Sequence, residues 1–136
     1  MVNAFYPHTE CQSAERAVSI FTARILERNM NISPDGYPVF FDIKTNMEPD
    51  EFAIADRDGG AAITAGGLPG LIHGAGFFLR MTEFYENSAE PCRWRGTQKP
   101  KCAIRGVYFA SHFHNFYHVA AIEEISRYIE DLALWG

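Results

Sequence analysis

The sequence predicts an α+β fold: a small sheet with helices packed on one face, followed by one further strand and helix. Three observations carry this reading. Two short apolar runs, Glu51 to Asp56 and Ala61 to Ala65, flank Asp58-Gly59, the strongest short-range signal for a β-hairpin. Apolar residues at helical spacing occupy 13–29 (Ala14, Val18, Phe21, Ile25) and 70–86 (Leu71, Ile72, Ala75, Phe78, Leu79, Met81). Near the C-terminus an aromatic and β-branched stretch, 104–110, gives way to a polar loop and then to the helical series Ile122, Ile125, Ile129 and Leu132. Strand, loop and helix in that order make a βα unit.

Each element has a local reason. Ser13 is the expected N-cap of the first helix, with Asn29 or Asn31 near its C-cap. Ser33-Pro34-Asp35-Gly36 is a turn leading into a strand over 37–44, where Val39, Phe41 and Ile43 alternate with Phe40 and Asp42. Residues 1–10 fit an edge strand or a tethered arm, and the sequence leaves both open. Pro69 suits the first turn of the second helix. The glycine-rich entry to that helix lacks Gly-x-Gly-x-x-Gly spacing and the Lys-Ser/Thr of a P-loop, so Gly70, Gly74 and Gly76 are read as permitting close helix–sheet approach, and His73 as a packed or surface histidine. Residues 87–102 break every periodicity and are read as a linker, with Arg93, Trp94 and Arg95 a conceivable stacking platform for a sugar. The domain division is therefore 1–86, a linker over 87–102, and the βα unit over 103–136.

Composition bounds the function. The chain has 136 residues, 47% hydrophobic and 14% aromatic, enough for one ordinary core but short of the roughly 250 residues of a (β/α)8 barrel. A formal net charge of −5 supplies no field for phosphate, so neither nucleic acid nor an anionic membrane is an expected partner. The N-terminus lacks the basic and apolar regions of a signal peptide, which favours a cytoplasmic location. Cys11, Cys92 and Cys102 form no Cys-x-x-Cys pair and are read as free structural thiols, although Cys92 and Cys102 could bridge in an oxidising compartment. No cofactor is expected.

The polar groups concentrate at the end of the 104–110 strand, where functional side chains sit in parallel α/β architectures. His112, His114, Asn115 and His118 fall within seven positions. His112 and His114 share a strand face, and His118 would add a third nitrogen. That is the spacing by which a His-x-His on a first barrel strand presents imidazoles to a divalent ion, so a metal-dependent hydrolase is one alternative. No acidic ligand lies close by in sequence. Glu123 and Glu124 are read as supporting the helix N-terminus through its dipole. The helix over 119–135 carries a stripe of Ile122, Ile125, Ile129, Leu132 and Trp135 too apolar to leave wet, which suggests self-association and, as a third reading, a free-standing sugar-binding or interaction module.

Two stretches together resemble a known family. The run from Asp58-Gly59-Gly60-Ala61-Ala62-Ile63-Thr64-Ala65-Gly66 into Pro69-Gly70-Leu71-Ile72-His73-Gly74-Ala75-Gly76-Phe77-Phe78-Leu79-Arg80 resembles the strand and Gly-x-x-Gly helix that end the small N-terminal α+β domain of family 20 and family 67 glycoside hydrolases, the β-hexosaminidases and α-glucuronidases. Ile104-Arg105-Gly106-Val107-Tyr108, with a helix ending at Ala133-Leu134-Trp135-Gly136, is similar to the way those enzymes enter the first strand and helix of their catalytic barrel. The resemblance spans about residues 13–136. It implies a hexosaminidase-type accessory domain followed by the opening of a truncated barrel, with carbohydrate as the partner of the whole enzyme. Arg105 and Gly106 match the pair that opens the barrel strand, but Ser111-His112-Phe113-His114 stands where the family's sugar-holding arginine is expected. Arg105, His112, His114 and Asn115, with the ring of Tyr117 or Phe116, are the implied substrate-binding residues. The family's two catalytic carboxyl groups, about 5 to 9.5 Å apart, lie on later barrel strands. The chain is therefore expected to hydrolyse nothing by itself.

Overall fold

The computed structural model describes residues 1–102, 104–108, 110 and 114–136. Its centre is a six-stranded sheet in the order β2-β1-β3-β5-β4-β8, built from β1 (Ala4–His8), β2 (Asn31–Ile32), β3 (Tyr37–Ile43), β4 (Phe52–Arg57), β5 (Gly60–Ala65) and β8 (Gly96–Gln98). β1, β3 and β5 run parallel, and β4 is antiparallel to both β5 and β8. The β4–β5 hairpin forms as the Asp58-Gly59 signal predicts: both turn residues have positive φ, 47° and 79°, the pair of values that matches the twist of the flanking strands. Two short strands, β6 (Glu83–Phe84) and β7 (Ala89–Glu90), form a separate ladder.

Alternation along the strands decides which face is covered. Phe5, Val39, Phe41, Ile54, Ala61 and Ile63 point to one side and are buried there by α1 (Glu15–Leu26) and α2 (Leu68–Arg80). The core is dominated by Phe21, which meets Phe41 at 5.3 Å and Phe78 at 5.8 Å between ring centroids, both edge-on, with Phe5 at 6.3 Å. Edge-to-face packing places the positive rim of one ring on the negative face of the next, adding about 0.5–1.5 kcal/mol per pair beyond burial. The opposite face of the sheet carries Tyr6, His8, Phe40, Asp42 and Arg57, with the Arg57 guanidinium 4.2 Å over the Phe40 ring and 2.7 Å from Asp42.

Several expectations change. Residues 1–10 are neither arm nor edge: β1 lies between β2 and β3, and Phe5 is fully buried. β2 covers only Ala4 and Phe5, so Pro7, which has no N–H, sits where the outer side of β1 is open. Ser13 does not cap the first helix. It lies inside a 3₁₀ turn, Gln12–Ala14, because Thr9 Oγ1 accepts the Cys11 N–H at 3.0 Å and donates to Phe41 O at 2.7 Å, which fixes the entry one turn earlier. Asn29 takes the left-handed conformation after α1, φ 57°, as asparagine near a helix end readily does. The segment read as a linker is partly folded: β8 extends the sheet, Ala89 and Cys92 are buried, and Trp94 packs edge-on against Phe77 at 4.9 Å. The three cysteines are free.

The strand expected over 104–110 is not formed in its described part. Residues 104–108 and 110 join no ladder, and Ile104 is 92% exposed. A strand is defined by the neighbour that takes up its N–H and C=O groups, and the described residues offer none beside it. The helix after it does form. α3 (Ile122–Trp135) begins with the Ala121 N–H bonded to Glu124 Oε2 at 3.1 Å, so Glu124 serves the helix start as expected. It lies on α2 as a third layer, an arrangement the sequence reading, which assigned it to a separate unit, does not anticipate. A Cβ at Gly74 would stand 2.6 Å from Ile63 on the sheet side of α2, and one at Gly76 would overlap the Leu134 carbonyl on the α3 side. Only hydrogen at those two positions lets α2 lie tight between its neighbours.

Removing the central ring should be costly. Phe21→Ala is expected to lower the unfolding free energy by about 3–5 kcal/mol in urea denaturation, against about 0–0.5 kcal/mol for a surface change such as Glu86→Ala.

Candidate functional site

The sequence-predicted residues separate into two places. The first is local. His114, Asn115, Tyr117 and His118 gather about a single 3₁₀ turn, Phe116–His118. Asn115 N–H donates to His118 Nδ1 at 3.1 Å, its side-chain amide donates to the Tyr117 hydroxyl at 2.9 Å, and that hydroxyl donates to Ala110 O at 2.8 Å. The His114 and His118 rings lie nearly parallel with centroids 5.7 Å apart. Much of the polarity that the sequence offers to a ligand thus serves the turn itself, and His118 Nδ1 is already taken. His112 lies outside the described residues. Among the described residues no group of three or more His, Cys, Asp or Glu side chains could hold a metal ion.

The second place is a cleft of about 260 Å³ between the start of β4, α2, the chain after β8 and the end of α3. Arg105 comes here, whereas His114, Asn115 and Tyr117 do not line the cleft. Its guanidinium bonds Asp50 Oδ2 at 2.8 Å and reaches both ring nitrogens of His73 at 3.3 Å. Since a guanidinium only donates, the imidazole must accept, which calls for its neutral form. Burial depresses the His73 pKa most strongly and the Arg105 charge depresses it further, while the Asp50 backbone and carboxylate pull it back up. Across the cleft Arg80 donates to Leu134 O at 2.6 Å and stacks 4.7 Å over the Trp135 ring, a cation closing the negative end of α3. Lys99 and Lys101 complete the basic lining.

Asp50 is the one acidic side chain among the lining residues, and it is already paired with Arg105, whereas glycoside hydrolysis needs two carboxyl groups about the scissile bond. Asp50, Arg80 and Trp135 were not legible as neighbours of Arg105. They come from a loop, a helix and a chain end, and no spacing in the sequence joins them. The Arg93-Trp94-Arg95 platform is not assembled either: Arg95 holds Asp56 at 2.7 Å and the Cys92 and Trp94 carbonyls at 2.8 Å, and Arg93 pairs with Glu90.

A broader groove of about 660 Å³ separates residues 104–107 from α3, lined by Ile104, Val107, Ile129, Leu132 and Trp135 with His73 and Arg105 at one end.

No sequence-family profile matches the chain, and no curated protein matches it in sequence. Solved structures do. The GH20 exo-β-N-acetylglucosaminidase of Vibrio harveyi matches as an inactive mutant, at 13% identity and TM-score 0.55, and in complex with N-acetylglucosamine, at 12% identity and TM-score 0.56. Each match covers 68% of this chain and 15% of that enzyme. What is shared is an α+β fold over that segment. A GH138 enzyme targeting pectin rhamnogalacturonan II matches less well, at 9% identity over 57% of this chain and 12% of the other, with TM-score 0.43. At these identities the likeness is one of α+β architecture, and the chain spans a small share of the enzymes it matches.

His73 gives a pH test. Its folded-state pKa lies below the unfolded one, so the stability that the neutral ring contributes is present above the unfolded value and is lost as pH falls through the folded one. His73→Gln should flatten the decline in unfolding free energy between pH 7.5 and 5 relative to the parent chain. Denaturant titrations at the two pH values measure it, and parallel declines would remove His73 from the account.

Proposed function

We propose that residues 1–136 are the accessory α+β domain and the opening βα segment of a carbohydrate-active enzyme of the hexosaminidase or glucuronidase kind, supporting a catalytic barrel and inactive without it. The observation that carries this reading is the sheet-and-helix architecture held in common with a GH20 enzyme over 68% of the chain. The ordered pair of stretches at 58–80 and 104–136 supports it, as does the setting of α3. On that helix Ile122 is 72% and Ile129 50% exposed, as expected where further barrel elements cover them. The substrate is a glycan, and the acid and nucleophile or base belong to later barrel strands. In this reading Arg105 opens the first barrel strand and His112, His114, Asn115 and Tyr117 stand at its end, His112, His114 and Asn115 as hydrogen-bond donors to sugar hydroxyls and Tyr117 as a ring face.

The test begins with the open reading frame on both sides of these residues. βα units carrying paired carboxyl residues are expected after residue 136. The product of that frame should release nitrophenol from an aryl β-N-acetylglucosaminide or α-glucuronide, while residues 1–136 alone release none. A frame without such units, or turnover by the 136-residue chain, would overturn the proposal.

A further inference from the structure

α3 is amphipathic, yet the face it presents to its own domain is the charged one. Arg127, Glu130, Asp131 and Leu134 recur at three- and four-residue spacing and meet α1 and α2, and among α3's described residues Leu134 alone is buried. The contact with α1 centres on Arg24, whose side chain is 4% exposed and whose guanidinium stands 2.8 Å from Asp131, 3.5 Å from Glu130 and 3.2 Å from Glu27. Around it Arg127 binds Glu27 at 2.7 Å and Asp131 at 3.4 Å, Arg16 pairs with Glu130, and Arg28 bonds the Arg24 carbonyl at 2.7 Å. Four arginines and three carboxylates thus do what apolar side chains do between α1, α2 and the sheet.

We propose that α3 is an electrostatic latch, seated on α2 through Leu134, pinned to α1 by this ion network, and able to lift away without unfolding the sheet and its two helices. The geometry supports a local opening. The partners of Arg24 keep part of their carboxylate surface in water, so dissolved ions reach them, and the apolar core under α1 and α2 contains nothing from α3 except Leu134. Salt separates this from the ordinary case. Added ions shorten the screening distance to about 3 Å at 1 M and weaken exposed pairs, whereas a helix held by apolar burial is unaffected or tightened. The inference concerns the junction between layers and stands whatever the chain's activity.

Hydrogen exchange read by mass spectrometry on the 136-residue chain, at 0.05 M and 1 M KCl, tests it. Peptides from 122–135 should exchange at least tenfold faster at high salt, while peptides from 17–25 and 70–79 change less than twofold. Asp131→Asn, a half-exposed substitution compatible with the fold, should produce the faster exchange already at low salt. An α3 insensitive to salt and to Asp131→Asn, or one that loosens only together with α2, would overturn the latch.

Discussion

The structure depends on how closely the second helix can be approached from both sides. α2 lies between the sheet and α3, with Gly70 and Gly74 in close approach on the sheet side and Gly76 on the α3 side. Dispersion falls off within an ångström of separation, so the burial of Ile63 and Phe52 beneath α2, and the seat of Leu134 above it, both require a helix with almost no side chain at those turns. The same glycines are unfavourable to helix formation, by up to about 1 kcal/mol each relative to alanine. Packing on two faces offsets that cost, and Pro69 in the first turn with Arg80 in the last helps to frame the helix.

How much of this was legible depends on whether the determining physics is local. The β4–β5 hairpin was, because Asp58-Gly59 sets its own backbone angles. β3, α1 and α2 were, because their apolar periods reflect one continuous core. β1 was not, since Pro7 argues against a paired strand and only the tertiary arrangement shows its outer side to be open. β8 was missed for a related reason: Gly96-Thr97-Gln98 has no apolar alternation, and it forms a strand because β4 presents an unfilled edge. The 104–110 stretch shows the reverse error. Its composition satisfies strand propensity, but a strand also needs a partner.

At the candidate site, residue type was readable and grouping was not. His114, Asn115, Tyr117 and His118 were recognised as polar groups in one loop, yet their hydrogen bonds close that loop on itself. Arg105 was recognised through an Arg-Gly pair, while Asp50 and His73, which hold it, are distant in sequence. α3 presents the same difficulty at larger scale. Its helical period is legible, but sequence alone gives no sign that Arg24, an arginine on a helix that also buries Ile20, Phe21 and Ile25, is buried with them. The buried guanidinium is shared among Glu27 on its own helix and Glu130 and Asp131 on α3, which ties the identity of α1 to that of α3.

The first residues of the chain are stitched to a segment made much later. Val2 and Ala89 exchange two backbone hydrogen bonds, Val2 N–H to Ala89 O at 2.8 Å and Ala89 N–H to Val2 O at 2.7 Å. On the ribosome, the amino end therefore has to wait, its main-chain groups satisfied by solvent, until the stretch beyond α2 has left the exit tunnel. Vectorial synthesis can assemble the central strands as they emerge, but closure of the domain at its amino end comes only after that stretch is free to fold back.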